Sequence, residues 1–211
     1  MRNKRDFKRW ISVAVSPTLQ QFGFEQHGNV WVREAGEIVD LIEFLFEKPR
    51  HADSARFTIE IGLFHKSVHQ VLWGLPTSET ISAVHCAVHL RIGRLLSDDF
   101  DRFLDKWWDF SSTKTEIIED EVVRALADSA IPFLESNRSL ARIRRLAERM
   151  SQSLQPADLL SLAIVYRLDG DKAKSDEILN RYLERPNSAW FERAAAVKTT
   201  LDAAFVSGET S

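Results

Sequence analysis

Two pairs of histidines stand at the spacing of four residues that metal-binding helices use. The pairs are His65 with His69 and His85 with His89. On a helix, side chains four residues apart are separated by about 5 to 6 Å at Cβ and can bind one Zn²⁺. On a strand the same spacing spans roughly 13 Å, at about 3.3 Å per residue, which no single ion bridges. We expect no metal and no cofactor, and we keep His65 with His69 as the alternative metal site.

The single cysteine, Cys86, follows an imidazole that would activate it as a nucleophile if the two groups were within hydrogen-bond reach. Neighbouring residues of a strand point to opposite faces, which separates Cys86 from His85. Cys86 instead alternates with Val88, Leu90 and Ile92. The sequence therefore predicts a buried structural thiol on the apolar face of a strand. With one cysteine there is no internal disulfide, which is typical of a reducing compartment.

A tryptophan between two acids is a candidate binding anchor. Trp107 lies two residues after Asp105 and two before Asp109. In an extended backbone Trp108 and Phe110 point inward, and Trp107 shares the outer face with both acids. An exposed ring flanked by carboxylates suits a cationic partner. In a helix both tryptophans would join one apolar stripe, and there would be no anchor.

A cluster of arginines marks a second candidate surface. Arg142, Arg144 and Arg145 belong to a predicted helix that also has an apolar side. This patch could bind phosphates or an acidic partner, or it could be only the solvated face of the helix. The balance of charge argues against general nucleic-acid binding, because 28 Lys and Arg face 31 Asp and Glu.

The composition is that of a folded protein. The chain has 211 residues, 44% of them apolar, which excludes a disordered or disulfide-dependent protein. No apolar stretch is long enough for a signal peptide or a membrane span, so we expect a cytoplasmic protein with no membrane partner. The sequence also lacks a nucleophile elbow, a phosphate-binding glycine loop and a dinucleotide fingerprint. No motif therefore predicts an enzyme.

The first part of the chain predicts a helix followed by antiparallel strands. Apolar residues recur every three or four positions over residues 6–22, in a helix that Pro17 interrupts and Gly23 ends. A turn containing Gly36 joins the first two strands as a hairpin. Residues 78–110 fit both a strand and a helix, and a strand is favoured in the second half. The strands are predicted at 30–33, 38–47 and 56–64.

The last part of the chain predicts helices. Asp171 and Ser188 are suited to begin helices and Gly170 to end one. Because only three residues separate the helices around Gly170, these two must form an antiparallel hairpin. We predict an α+β fold, with an N-terminal helix and a mostly antiparallel sheet of about four or five strands packed by helices (1–135), and a C-terminal helical subdomain packed on it (136–211). The helices are expected at 116–131, 139–151, 156–168, 171–184 and 188–205.

Six segments stand in an order and spacing typical of one known family. They are 7–24, beginning Phe-Lys-Arg-Trp-Ile; 29–33, Asn-Val-Trp-Val-Arg; 56–63, Arg-Phe-Thr-Ile-Glu-Ile-Gly-Leu; Cys86 with Arg91-Ile92-Gly93; Asp105-Lys106-Trp107-Trp108; and Ile131-Pro132-Phe133-Leu134. Over roughly residues 5–150 the chain resembles a bacterial family known only as domain of unknown function 4304. The resemblance implies an antiparallel sheet packed by helices, with strands around Cys86 and Trp107, and it implies no activity. Leu45-Phe46-Glu47-Lys48 replaces a Gln-Lys-Ser-like stretch typical of the family, so no polar role is expected there.

The leading functional hypothesis is a non-catalytic module that binds another protein, as immunity and adaptor proteins do. Its predicted contact surfaces are Trp107 with its flanking acids and the arginine-rich helix. One alternative is a metal-dependent hydrolase based on aspartate and the four histidines of the two pairs. The other is a weak nucleic-acid binder that uses the arginine-rich helix.

Overall fold

The N-terminal helix contains a π-helical turn shortly before Pro17. The structure, a computed structural model, describes residues 4–47, 55–74, 81–102, 104–150, 155–186 and 188–206. Helix α1 (Lys4–Trp10) leads through a π-helical turn (Ile11–Val15) into α2 (Ser16–Gln21), with Pro17 in the first turn of α2. Proline has no N–H to continue the preceding hydrogen bonds, so the predicted interruption takes the form of a wider turn. Gly23, with φ +80°, follows the end of the helix.

One antiparallel sheet forms the centre of the molecule. Its strands are β1 (Glu25–His27), β2 (Val30–Ala35), β3 (Ile38–Phe46), β4 (Arg56–His65), β5 (Val88–Arg91) and β6 (Trp108–Asp109). They lie in the order β1-β2-β3-β4-β5, and β6 pairs with the beginning of β4. The predicted α+β fold is confirmed; β1 is a short additional strand, and β6 is the strand expected around Trp107. Gly36, with φ +69°, lies in the turn of the predicted β2–β3 hairpin.

Helices pack around the sheet. They are α3 (Lys66–Trp73), α4 (Ile92–Leu95), α5 (Thr115–Ala125), α6 (Ile131–Ser136), α7 (Leu140–Met150), α8 (Pro156–Leu168), α9 (Lys172–Leu183) and α10 (Phe191–Val206). A π-helical turn (Leu126–Ala130) joins α5 to α6. In the predicted hairpin of α8 and α9, Gly170 has φ +88° and the Asp171 carboxylate accepts the Lys174 N–H at 3.1 Å. Within the described ranges, no helix combines the length and apolar character that crossing a membrane requires.

Each face of the sheet buries its own apolar cluster. The larger cluster joins the sheet to the N-terminal helices, to α5 and α6, and to the C-terminal helices. Its aromatic centre includes Phe7, Trp10, Phe44, Phe57, Trp108 and Phe110. The smaller cluster, on the opposite face, consists of Val30, Val39, Leu41, Phe64, Ala83 and Cys86.

Cys86 lies on the opposite face of the sheet from the one predicted. The apolar residues of β5 belong to the larger cluster, whereas Cys86 belongs to the smaller one. A 3₁₀ turn at Ala83–His85 is the reason, because it ends before β5 begins and directs Cys86 onto the second face. The thiol fits there because Gly62 has no side chain, and a Cβ at that position would lie 2.4 Å from Sγ. The prediction of a strand through Cys86 is therefore wrong, although the thiol is buried.

The C-terminal helices pack against α3 and the edge of the sheet. Helices α8 and α10 contact α3, and α7 contacts β5. Arg193 of α10 donates a hydrogen bond to the Leu72 carbonyl at 3.1 Å. Arg138, between α6 and α7, pairs with the buried carboxylate of Asp40 in β3. The division into 1–135 and 136–211 stays a prediction.

Candidate functional site beside the edge strand

Ionisable side chains of two neighbouring strands meet on the second face of the sheet. In β4 the odd-numbered residues 57 to 63 belong to the larger core, so Glu60 points to the opposite face. The antiparallel register places Arg91 opposite Glu60 and His89 opposite Gly62. The strand pairing therefore gathers a carboxylate, a guanidinium and an imidazole.

A cleft of about 380 Å³ lies beside β5. It is bordered by β5 and the start of α4 on one side and by α7 and α8 on the other. Its volume falls within the roughly 300–1,000 Å³ range of known ligand sites. The side chains that border it include Glu60, His89, Arg91, Arg94, Met150 and Asp158.

The main chain of His89 faces away from the sheet and has no partner in the described residues. The Leu63 carbonyl accepts the Ala87 N–H at 3.0 Å, so the odd-numbered residues of β4 direct their main-chain groups toward β5. The direction of the main-chain N–H and C=O groups alternates from one residue of a strand to the next. Val88 and Leu90 lie opposite the odd-numbered residues Leu63 and Ile61, so their main-chain groups bond to β4. The N–H and C=O of His89 point the other way. With respect to the described part of the chain, strand β5 thus presents a free donor and a free acceptor at its outer edge.

Two carboxylates hold the imidazole of His89. Its Nδ1 lies 3.8 Å from Glu60 Oε2, and its Nε2 lies 3.6 Å from Asp158 Oδ1. Burial disfavours the imidazolium, but the contact with Asp158 and the charges of both acids outweigh burial and raise the pKa of His89. Burial also raises the pKa of Glu60. Burial opposes ionisation of Asp158 as well, yet its contacts with His89 and with the Gln155 N–H lower its pKa.

Trp107 lies next to Arg91 and faces two cations of its own chain. The guanidinium carbons of Arg56 and Arg91 are 4.8 and 5.3 Å from its ring. Arg91 also pairs with Asp105, with 2.5 Å between Nη1 and Oδ2. The predicted directions are found, because Trp108 is buried and Trp107 is half-buried. Trp107 and Asp105 therefore hold Arg91 at the border of the cleft.

Asp109 organises the turn that follows β6. Its carboxylate accepts hydrogen bonds from the hydroxyls of Ser111 and Ser112, both at 2.6 Å, and from their N–H groups. These bonds lower the pKa of Asp109 to about 2. The two acids that flank Trp107 in sequence thus have different contacts, one with Arg91 and one with a serine turn.

The predicted arginines lie on α7. Arg142 and Arg145 are exposed, whereas Arg144 is half-buried and pairs with Asp169 at 2.5 Å, Nη1 to Oδ2. No ion pair is formed by Arg142 or Arg145 within the described ranges. This surface is separate from Trp107, to which no contact joins it in the described residues.

In neither histidine pair do both residues lie within one helix. His65 precedes the first turn of α3 with an extended backbone, and His69 lies within the helix. The His69 ring is 4.9 Å from Phe64 and 5.6 Å from His85, which stands in the 3₁₀ turn. The described residues contain no group of three or more His, Cys, Asp or Glu side chains placed to hold a metal ion.

Cys86 is enclosed in the smaller apolar cluster. It is 2% exposed, and burial raises the pKa of its thiol well above the ordinary value. Its Sγ lies 3.8 Å from the Ser82 carbonyl. A protonated, enclosed thiol is a poor nucleophile, which agrees with the predicted structural role.

Comparison with known proteins identifies the family. Residues 15–136, more than half of the chain, match the family described as Domain of unknown function (DUF4304). The chain belongs to this family. No curated protein and no solved structure matches the chain. The DUF4304 match contains the sheet, Glu60, His89 and Arg94, whereas α7 and α8, which form the other side of the cleft, follow it.

Sequence analysis missed most of the residues that line the cleft. Glu60 is the one acidic residue of β4, in which residues 57, 59, 61 and 63 are apolar, and this is a signal that could have pointed to the cleft. The sequence places His89 four residues after His85 and Asp158 in a predicted helix, with no signal that joins the two. Their proximity depends on the packing of α8 beside β5, which no local pattern contains.

Proposed function

We propose that the protein is a non-catalytic binding module that recognises an extended segment of another protein. The segment lies along β5 in the cleft and pairs with the free main-chain N–H and C=O of His89. In strand addition of this kind, main-chain hydrogen bonds supply affinity and side-chain pockets supply specificity. The unpaired main chain of His89 beside a walled cleft is the observation that carries the proposal.

The surroundings of β5 favour a selective site over a bare sheet edge. An uncovered edge pairs readily with other strands, and proteins protect such edges with charges or with covering elements. Here Met150 and Asp158 stand beside the edge, and His89 and Arg91 add charge. In this proposal the cleft admits one extended chain and hinders the pairing of whole sheets.

The same residues favour binding over hydrolysis. No Ser, Thr or Cys side chain lines the cleft in the described part of the chain. Among the described residues, His89 contacts two carboxylates and no Ser, Thr or Cys side chain. A metal-dependent hydrolase would need a metal ion to activate water, and the described residues contain no group of three or more His, Cys, Asp or Glu side chains placed to hold one.

Surfaces outside the cleft contribute to the proposed interaction. Arg142 and Arg145 are exposed cations that would steer an acidic partner toward α7, a contribution to association rate more than to affinity. Trp107 and Asp105 hold Arg91 in position at the border of the cleft. In this proposal the module acts as an immunity or adaptor protein does, by occupying a segment of its partner.

A proline at position 89 tests the proposal. His89→Pro removes the outward N–H without removing a hydrogen bond to β4, whereas His89→Ala keeps that N–H and removes the imidazole. Heptapeptides are selected from a random display library against the wild-type protein, and their affinities for the variants are measured by fluorescence polarisation. We expect about tenfold weaker binding to His89→Pro and a smaller loss with His89→Ala, since one main-chain bond is lost.

Two results would overturn the proposal. One is equal binding of the selected peptides to the wild type and to a folded His89→Pro variant. The other is a selection that yields no peptide competing at β5. Circular dichroism and thermal unfolding of each variant establish that the sheet is intact.

A further inference from the structure

Arg94 is a buried cation with no carboxylate partner among the residues that the structure describes. It lies on α4 directly after β5 and lines the cleft, yet only 9% of its surface is exposed. Its Nε has no hydrogen-bond partner, and it forms no ion pair within the described ranges. Its guanidinium carbon is 5.3 Å from the Phe100 ring. The nearby carboxylate of Asp101 is bonded to Arg149.

The other charges of the cleft are matched. His89 lies between Glu60 and Asp158, and Arg91 is 3.7 Å from Glu60, Nε to Oε1. Buried polar groups are almost always hydrogen-bonded, and a buried charge is normally paired. Arg94 is the exception at this site, and an anion in the cleft would supply the missing partner.

We propose that the segment bound along β5 carries an aspartate or glutamate whose carboxylate pairs with Arg94. The inference rests on the proposed function and specifies the chemistry of the partner. A guanidinium binds a carboxylate through two parallel hydrogen bonds, and burial strengthens both. Glu60 and Asp158 already place negative charge in the cleft, so a singly charged carboxylate suits the site better than a doubly charged phosphate.

The fold also indicates where on the segment the acid lies. Arg94 follows Arg91 by about one helical turn, so it stands at the end of β5 and not at its middle. A chain paired with His89 reaches Arg94 only with a residue near one of its ends. We therefore expect a single acidic position near one end of the paired stretch.

The test uses the same random heptapeptide library, selected separately against the wild type, Arg94→Met and Arg181→Met. Methionine keeps the apolar length of the side chain and removes the charge. Arg181 is the matched control, an exposed cation of α9 that does not line the cleft. We expect Asp or Glu at one terminal position with the wild type and with Arg181→Met, and no such preference with Arg94→Met.

A charge-swap measurement then assigns the contact. Changing the acidic residue of a selected peptide to its amide should weaken binding to the wild type about tenfold and binding to Arg94→Met less than about twofold. An acidic preference that persists with Arg94→Met, or that disappears equally with Arg181→Met, would overturn the inference. A wild-type selection without acidic preference would also overturn it, while binding that depends on the His89 N–H would leave the proposed function intact.

A measurement on the wild-type protein tests the contact even if Arg94→Met does not fold. The Nε–H of Arg94 is buried, so its NMR signal reports directly on a new partner. The acidic peptide should shift this signal, and its amide counterpart should leave it within the linewidth. Equal shifts with both peptides would refute the carboxylate contact.

Discussion

The imidazole Nε2 of His89 lies 3.6 Å from Oδ1 of Asp158, a contact that joins the edge of the sheet to the first turn of α8. Asp158 also accepts the Gln155 N–H at 2.9 Å and so caps the same helix. One carboxylate thus begins α8 and orients His89. The contact holds one side of the cleft against β5.

Asp158→Asn tests this contact through its pH dependence. The pKa of His89 is raised above its unfolded value of about 6.5, so its protonation stabilises the fold fully below that value, and the stabilisation is lost as pH rises through the folded pKa. We expect Asp158→Asn to lower the pKa of His89 and to lose more stability at about pH 6 than at about pH 8. NMR titration of the imidazole and urea unfolding measure the two effects. An unchanged pKa of His89 in this variant would contradict the assignment.

Asp40 is predicted to be the most sensitive charged position of the sheet. It is fully buried, lies 2.7 Å from Arg33 (Oδ2 to Nη2) and pairs with Arg138. Asp40→Ala should lower the free energy of unfolding by about 3–5 kcal/mol, because it leaves two guanidiniums without their shared partner. Glu34→Ala, which removes an exposed pair with Lys66, should cost less than about 1 kcal/mol. Similar losses in urea unfolding would contradict this ranking.

The position of Cys86 is predicted to require a glycine at residue 62. An alanine Cβ at this position would lie 2.4 Å from Sγ and 3.1 Å from Cβ of Cys86. Gly62→Ala should therefore cost about 1–3 kcal/mol in the free energy of unfolding. Adding Cys86→Ala should recover part of the loss, because it removes the sulfur from the overlap. Strict additivity of the two substitutions in urea unfolding would show that they do not share one cause.

Arg94→Met should separate stability from binding. Replacing an unpaired buried charge by an apolar side chain is expected to leave the free energy of unfolding unchanged or to raise it by about 0.5–2 kcal/mol. The selected acidic peptides should at the same time bind more weakly. Thermal and urea unfolding of the free protein provide the check. A loss of more than about 1 kcal/mol would indicate that Arg94 serves the fold instead of a ligand.

Local sequence signals predicted most of the fold. The β2–β3 hairpin follows from alternating residues around Gly36, and the α8–α9 hairpin follows from Gly170 and the cap residue Asp171. Each of these features is decided by residues close together in sequence, where turn and cap chemistry act directly. The inward direction of Trp108 beside outward Trp107 follows from the same alternation.

The site could not be predicted in the same way. Asp158 reaches His89, and Arg138 reaches Asp40, only because helices pack at particular places on the sheet. The 3₁₀ turn before Cys86 is too short to leave a periodic signal, so the alternation with β5 misled the assignment of its face. Long-range packing decided the first two cases, and a short local turn decided the third.

Hydrogen exchange at the amide of His89 tests the binding proposal most directly. Its N–H points away from β4 and should exchange readily in the free protein, while the N–H groups of Val88 and Leu90 are already held by β4. On addition of a selected peptide we predict that protection rises sharply at His89 and changes little at these two neighbours. A peptide that binds and leaves the His89 amide exchanging as before would contradict strand addition at β5.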